Sequence, residues 1–248
     1  MKKIILAAAI AVAFSGVANA QTVRLGTEGA YAPWNFIGDD GKIAGFEIDL
    51  GNELCKRAEI ECEWVINEWD SIIPNLIAGN YDAIIAGMSI TDERMETIDF
   101  TNDYYPPDPS RYAMIAGANV DFSNVSGIKI GVQGATIQAG YAEENFAANN
   151  TILSYETADQ SIADLSAGNV DVVLADGGYL EPIVKASNGA LVFSGPEVMI
   201  GGGVGMGLRK GDDELEAKLN AAIESVKADG TLDGFIAKWF EKGPFYSN

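Results

Sequence analysis

Histidine is absent from all 248 residues. That removes Ser-His-Asp and Cys-His nucleophilic catalysis and every histidine-ligated metal site. Cysteine is almost absent: Cys55 and Cys62 stand alone, and two thiolates cannot complete a structural zinc site. Basic residues are scarce, with 16 Lys and Arg against 36 Asp and Glu and a formal charge of −20. Nucleic acid and anionic membrane surfaces are therefore poor partners, and most of these carboxylates read as a solvated acidic shell. Past the first 20 residues no apolar run is long enough to span a bilayer. The turn Gly131 to Thr136 lacks the Lys-Ser/Thr pair of a phosphate-binding loop, which rules out a nucleoside triphosphate. No metal and no cofactor is expected.

What is present begins with a leader. Lys2 and Lys3, an apolar stretch from Ile4 to Phe14 and the small-x-small site Ala18-Asn19-Ala20 read as a secretory signal over residues 1–20. The expected mature chain starts at Gln21 and carries −22, because the leader takes two lysines with it. No cysteine follows the cleavage site, so a lipid anchor is not expected and a soluble periplasmic protein is. In that oxidising compartment Cys55 and Cys62, seven apart, are expected to form a disulfide.

A recurring pattern runs through the rest, one that duplication and the chance likeness of any two helix-to-strand units explain equally well. Leu76–Gly87 (LIAGNYDAIIAG) is echoed 89 positions later by Leu165–Asp176 (LSAGNVDVVLAD). Each copy reads as a helix end, a Gly-Asn stop and an apolar run short enough to be a buried parallel strand. Ligands of open α/β sheets bind beyond the carboxyl ends of strands, which directs attention to Gly87 and Asp176. Further strands are expected at Thr22–Thr27, Cys62–Ile66, Arg111–Ala116, Ile128–Val132 and Thr151–Tyr155. Gly38–Gly41 reads as a hairpin turn leading into Gly45–Leu50. Helices are expected at Asp49–Ala58, Ser71–Ala78 with Asp70 as cap, Thr136–Ala148, Asp159–Ala167, Gly178–Ala186, Asp213–Asp229 and Asp233–Trp239. Pro106, Pro107 and Pro109 mark a connection between lobes, and Gly201–Gly203 a bend where the chain returns.

Candidate ligand groups cluster at strand ends and helix starts. Ser89 precedes a short helix opened by Thr91 and Arg94 lies about one turn into it, where backbone N–H groups and a guanidinium suit a carboxylate; pairing of Arg94 with Asp92 or Glu93 is the ordinary alternative. Thr136 stands at a second helix start. Asp176 suits an ammonium group or, equally, a helix cap. Glu28 ends the first strand, and Tyr31 and Trp69 are loop aromatics placed to flank a side chain.

Five motifs now stand in order: Glu28, Tyr31, Pro33, Trp34 and Phe36; Gly45 to Leu50; Trp69, Asp70, Ile73 and Pro74; Ser89, Ile90, Thr91 and Arg94; and Gly205 to Arg209. Over essentially the whole mature chain they resemble the polar amino-acid receptors of bacterial ABC importers, solute-binding protein family 3, and most nearly the lysine/arginine/ornithine and histidine receptors. The resemblance implies an α/β, two-lobed periplasmic binding protein of type II, with lobe 1 over 21–107 and 203–248, lobe 2 over 108–202, and two hinge segments. It implies that Arg94, Ser89 and Thr136 hold an α-carboxylate, Asp176 an α-ammonium and Glu28 a distal cation, with Tyr31 and Trp69 around the side chain and Ala86 and Gly87 lining the site. A monomer that delivers its amino acid to a membrane permease is implied, not an enzyme. Gly87 replaces a serine of several relatives and Glu28 is one methylene longer than their aspartate, so an arginine-derived opine is an alternative ligand. A dehydratase on the same fold, with Glu28 or Asp176 as general acid, is the rival of another class.

Overall fold

The computed structural model describes residues 22–247, so the expected leader lies outside the described residues. The chain runs through β1 (Val23–Thr27), β2 (Ala30–Tyr31), β3 (Asn35–Ile37), β4 (Ile43–Ala44), α1 (Phe46–Arg57), β5 (Cys62–Ile66), a 3-10 turn (Trp69–Ser71), α2 (Ile72–Ile77), β6 (Ala83–Ile84), α3 (Asp92–Met95) and β7 (Asp99–Tyr105). It crosses to β8 (Ser110–Ile115), β9 (Lys129–Gln133), α4 (Ile137–Phe146), β10 (Thr151–Tyr155), α5 (Ala158–Ser166), β11 (Val172–Asp176), α6 (Gly177–Ala186) and β12 (Leu191–Val198). It then returns through β13 (Val204–Leu208), α7 (Asp213–Ala228) and α8 (Thr231–Phe240).

Two five-stranded sheets result, ordered β5-β1-β6-β13-β7 and β10-β9-β11-β8-β12. They follow one plan. In each, the first three strands are parallel and the fourth is antiparallel to both of its neighbours. The fourth strand is the one that has just crossed over, β13 in the first sheet and β8 in the second. The connections pass through residues 106–109 and 199–203, as the prolines and glycines imply.

The internal repeat reappears as matched hydrogen bonds. After α2, Gly79 N donates to Leu76 O at 3.0 Å and Asn80 N to Asn75 O at 3.0 Å; after α5, Gly168 N donates to Leu165 O at 3.0 Å and Asn169 N to Asp164 O at 2.9 Å. Both glycines take a left-handed conformation, φ +82° and +75°, which ends a helix without Cβ strain. The aspartate that follows accepts a backbone N–H from the neighbouring strand in both copies, Asp82 from Arg24 at 2.9 Å and Asp171 from Lys129 at 2.7 Å. Val172–Ala175 of β11 is buried throughout, as its unbroken apolar run requires.

Three expectations need correction. Gly45–Leu50 does not extend the hairpin: the helix starts at Phe46, because Phe46 N and Glu47 N find acceptors in Pro33 O and Trp34 O, both at 2.9 Å. Asp70 makes no capping bond to α2; it lies inside the 3-10 turn that precedes it. Strands β7 and β12 were not foreseen, since their polar residues, Asn102 and Asp103 in one and Ser194, Gly195 and Pro196 in the other, hide the alternation of a sheet-edge strand. Cys55 and Cys62 are joined, tying the last turn of α1 to the first residue of β5. Among the described residues no helix is long and apolar enough to cross a membrane, and no cluster of three or more potential metal ligands occurs.

Candidate functional site

The nine residues singled out from the sequence, Glu28, Tyr31, Trp69, Ala86, Gly87, Ser89, Arg94, Thr136 and Asp176, line one cavity between the two sheets. Gln133, Ile137 and Gln138 complete the wall.

Strand ends and helix starts deliver these groups, as the topology dictates. Glu28 follows β1, Ala86 and Gly87 follow β6, Gln133 ends β9 and Asp176 ends β11. Thr91 caps α3 by accepting Arg94 N at 3.2 Å, and Thr136 caps α4 by accepting Ala139 N at 3.1 Å. Behind the wall lies Glu47, fully buried, which accepts Gly87 N at 2.6 Å, Asn35 Nδ2 at 2.7 Å and the Tyr104 hydroxyl. Asn35 Oδ1 in turn accepts Gly29 N at 2.7 Å, so one buried acid sets the backbone just past two neighbouring strands of the first sheet, β1 and β6.

Three charged side chains converge here. Arg94 forms no ion pair with Asp92, Glu93 or any other carboxylate among the described residues. Its guanidinium donates to Ser89 O at 2.8 Å and lies 5.4 Å from the centre of the Trp69 ring. Burial pushes its pKa down to about 10, opposed by Asp176 and Glu93, so it stays charged at neutral pH with part of its solvation unreplaced. Asp176 occupies the N-cap position of α6 but makes no capping bond. Its carboxylate accepts the Tyr31 hydroxyl and Gln138 Nε2, each at 2.7 Å, and burial raises its pKa against those two bonds and the Arg94 charge. Glu28, 7% exposed, is lifted to about 7 by burial first, then by Asp159, Glu47 and Asp70, while the bond from Gln133 opposes the rise.

The aromatic pair is already engaged. Tyr31 stacks on Tyr179 with centroids 4.4 Å apart and planes within 5°, leaving one face of its ring for anything else. Trp69 Nε1 donates to Ala135 O at 3.2 Å. With Tyr31 to Asp176 and Gln133 to Glu28, that makes three hydrogen bonds crossing between the lobes at this cavity.

Gln133 and Gln138 escaped the sequence reading. Gln133 is legible in principle, since β9 runs one residue past the expected Ile128–Val132 and ends on it. Gln138 gave no signal, because a glutamine in the first turn of a helix is ordinary on the surface.

The family model of bacterial extracellular solute-binding proteins, family 3, matches residues 23–242. An L-arginine-binding protein of Pseudomonas aeruginosa is 37% identical over 260 residues, covering 100% of both chains. A lysine/arginine/ornithine-binding periplasmic protein of Escherichia coli is 37% identical, covering 97% of this chain and 98% of its own. A crystal structure of a periplasmic His/Glu/Gln/Arg/opine family-binding protein from Silicibacter pomeroyi in complex with lysine superposes with a TM-score of 0.84 at 55% identity, over 90% of this chain and 100% of that one.

Proposed function

This chain belongs to the bacterial extracellular solute-binding proteins, family 3, and on that premise we propose that it captures a basic L-amino acid of the arginine, lysine and ornithine class. The carrying observation is the charge of the cavity wall. Two carboxylates, Glu28 and Asp176, face one guanidinium, Arg94, so with all three ionised the wall carries a net −1. A basic amino acid is the complement, with two cationic ends and one anionic end. A neutral zwitterion satisfies Arg94 and Asp176 and leaves the charge of an ionised Glu28 buried without a cation, which is costly.

Arg94, Ser89 and the Thr136 helix start take the α-carboxylate, Asp176 the α-ammonium and Glu28 the distal cation. Tyr31 and Trp69 border the side chain, with Ala86 and Gly87 beneath it. The lobes, 21–107 with 203–248 and 108–202, close about residues 106–109 and 199–203, excluding water and strengthening each charge-assisted bond. A dissociation constant near 1 μM, about 8 kcal/mol, is within reach of such contacts after association costs. The monomeric, periplasmic receptor then presents its closed shape to an ABC permease. The relatives are named for what they bind, which supports capture over turnover.

Calorimetry on ligand-free protein with arginine, lysine, ornithine, histidine, octopine and glutamine tests this. Arg94→Met is expected to abolish binding of every amino acid, and Glu28→Gln to weaken the basic ones selectively. Equal affinity of the parent for glutamine and arginine refutes the basic-ligand reading.

A further inference from the structure

Gln133 is one of the cavity residues to which neither the motifs nor the charge count gave a role, and its surroundings are unusually constrained. It ends β9 in the second sheet, yet its side chain reaches an acid of the first. Nε2 donates to Glu28 Oε1 at 2.6 Å and to Glu156 O at 3.1 Å. The Glu156 carbonyl is a pure acceptor and so is Glu28 when ionised, which sets the amide orientation and uses both of its N–H groups. Gln133 is 7% exposed, so water does not substitute for it.

We propose that Gln133 is a positioning residue for charge selectivity: by donating from the opposite lobe to one oxygen of Glu28, it favours the ionised form of that acid while leaving its charge uncancelled for a cationic ligand group. The reasoning turns on what else could stand there. A lysine or arginine at 133 would neutralise Glu28 and remove the attraction for a second cation. An apolar residue would leave a buried carboxyl with no donor, favouring its protonated form. Only a neutral donor stabilises the charge without cancelling it. The second acid follows the same rule, since Asp176 is held by the Tyr31 hydroxyl and by Gln138 Nε2, which also donates to Ser110 Oγ at 2.9 Å. Because Gln133 and Glu28 belong to different lobes, the donor arrives with closure, so the acid acquires its final strength as the cavity is sealed.

The groups facing Glu28 from the packed elements are Asp159 of α5, Glu47 of α1, Asp70 of the 3-10 turn and the hydroxyls of Tyr31 and Tyr179. The three carboxylates all favour the protonated acid, and Gln133 is the hydrogen-bond donor that opposes them.

The inference rests on the basic-ligand reading and deepens it, so its test separates the two. Arginine affinity is measured by calorimetry from pH 5.5 to 9 on the parent, Gln133→Met, Gln133→Asn, Glu28→Gln and the Glu28→Gln/Gln133→Met double variant. Loss of the donor is expected to move the midpoint of the pH dependence up by about one pH unit. Arginine binding is then about fivefold weaker at pH 7 and within about twofold of the parent at pH 9. In the Glu28→Gln background, Gln133→Met is expected to change arginine affinity less than about twofold, as for a residue that acts through its partner. A loss of equal size at every pH, or one that persists undiminished without Glu28, overturns the inference while leaving the basic-ligand reading intact. If Gln133→Met fails to fold, Gln133→Asn, too short to reach Glu28 but still polar, is expected to show the same pH displacement; an unchanged profile overturns the proposal. A parent that binds glutamine as tightly as arginine defeats the underlying reading instead.

Discussion

Glu28 carries the most consequential single property of the site. Its pKa rises from 4.5 toward about 7 on folding, so the folded chain holds this proton more tightly than the unfolded chain does. Its contribution to stability is therefore greatest below pH 4.5, falls as pH rises from 4.5 to 7, and is level above, for a total of about 3 kcal/mol. Ligand-free protein is expected to lose that much between pH 4.5 and 7 in urea titrations, and saturating arginine to offset the loss at neutral pH; Glu28→Gln should flatten both curves. Gly87 makes a different demand. Its φ is +62°, while a Cβ there would meet Tyr31 at 3.6 Å, an ordinary contact. Space therefore permits Gly87→Ala and the backbone resists it, at about 1 to 2 kcal/mol by chemical denaturation. Residue identities at the cavity were legible because charged groups at strand ends have few structural uses. Glu47 was not, since nothing in Gly45–Leu50 distinguishes an acid buried under Gly87 from one facing water.

Elements were legible where pattern and punctuation agree. The helix ends at Gly79 and Gly168 and the strands after them follow from Gly-Asn stops and apolar runs, whereas the start of α1 depended on Pro33 O and Trp34 O, which no local pattern announces. α5 shows how a start can be written in sequence and still be misplaced. Thr157 accepts Gln160 N while Gln160 caps the Thr157 backbone, a capping box that opens the helix at Ala158, one residue before the expected start. Thr157→Ala is expected to cost about 1 kcal/mol in thermal unfolding, without altering ligand specificity. The disulfide closes a short loop between α1 and β5. Replacing both cysteines with serine should lower stability by about 2 to 3 kcal/mol, measured against the parent with and without reductant.

Whole-molecule organisation was the most legible level, because a chain that repeats its helix-to-strand unit and twice meets a connecting segment has little choice but two similar lobes. What no sequence shows is how the lobes touch. The bonds from Tyr31 to Asp176 and from Gln133 to Glu28 join residues 145 and 105 positions apart. Away from the cavity, Lys242, beyond α8, pairs with Glu181 of α6 at 2.9 Å and with Asp108 of the crossover at 3.4 Å, and Lys185 pairs with Glu241 at 2.6 Å. These pairs are made in the conformation whose cavity is bridged, so removing them favours a more open one. Lys242→Ala is expected to weaken ligand binding about two- to threefold, the scale of partly exposed ion pairs, and to widen the inter-lobe distance distribution reported by a pair of fluorophores. Finally, the repeats end differently, one in Gly87 and the other in Asp176, so the cavity offers three dissimilar anchors at fixed corners: Arg94, Asp176 and Glu28. Where the cavity wall admits a ligand from one face only, such a triangle acquires a handedness. The mirror image of a ligand can meet two corners but not the third, and D-arginine should bind about ten- to a hundredfold more weakly than its natural enantiomer, the cost of one lost charged hydrogen bond.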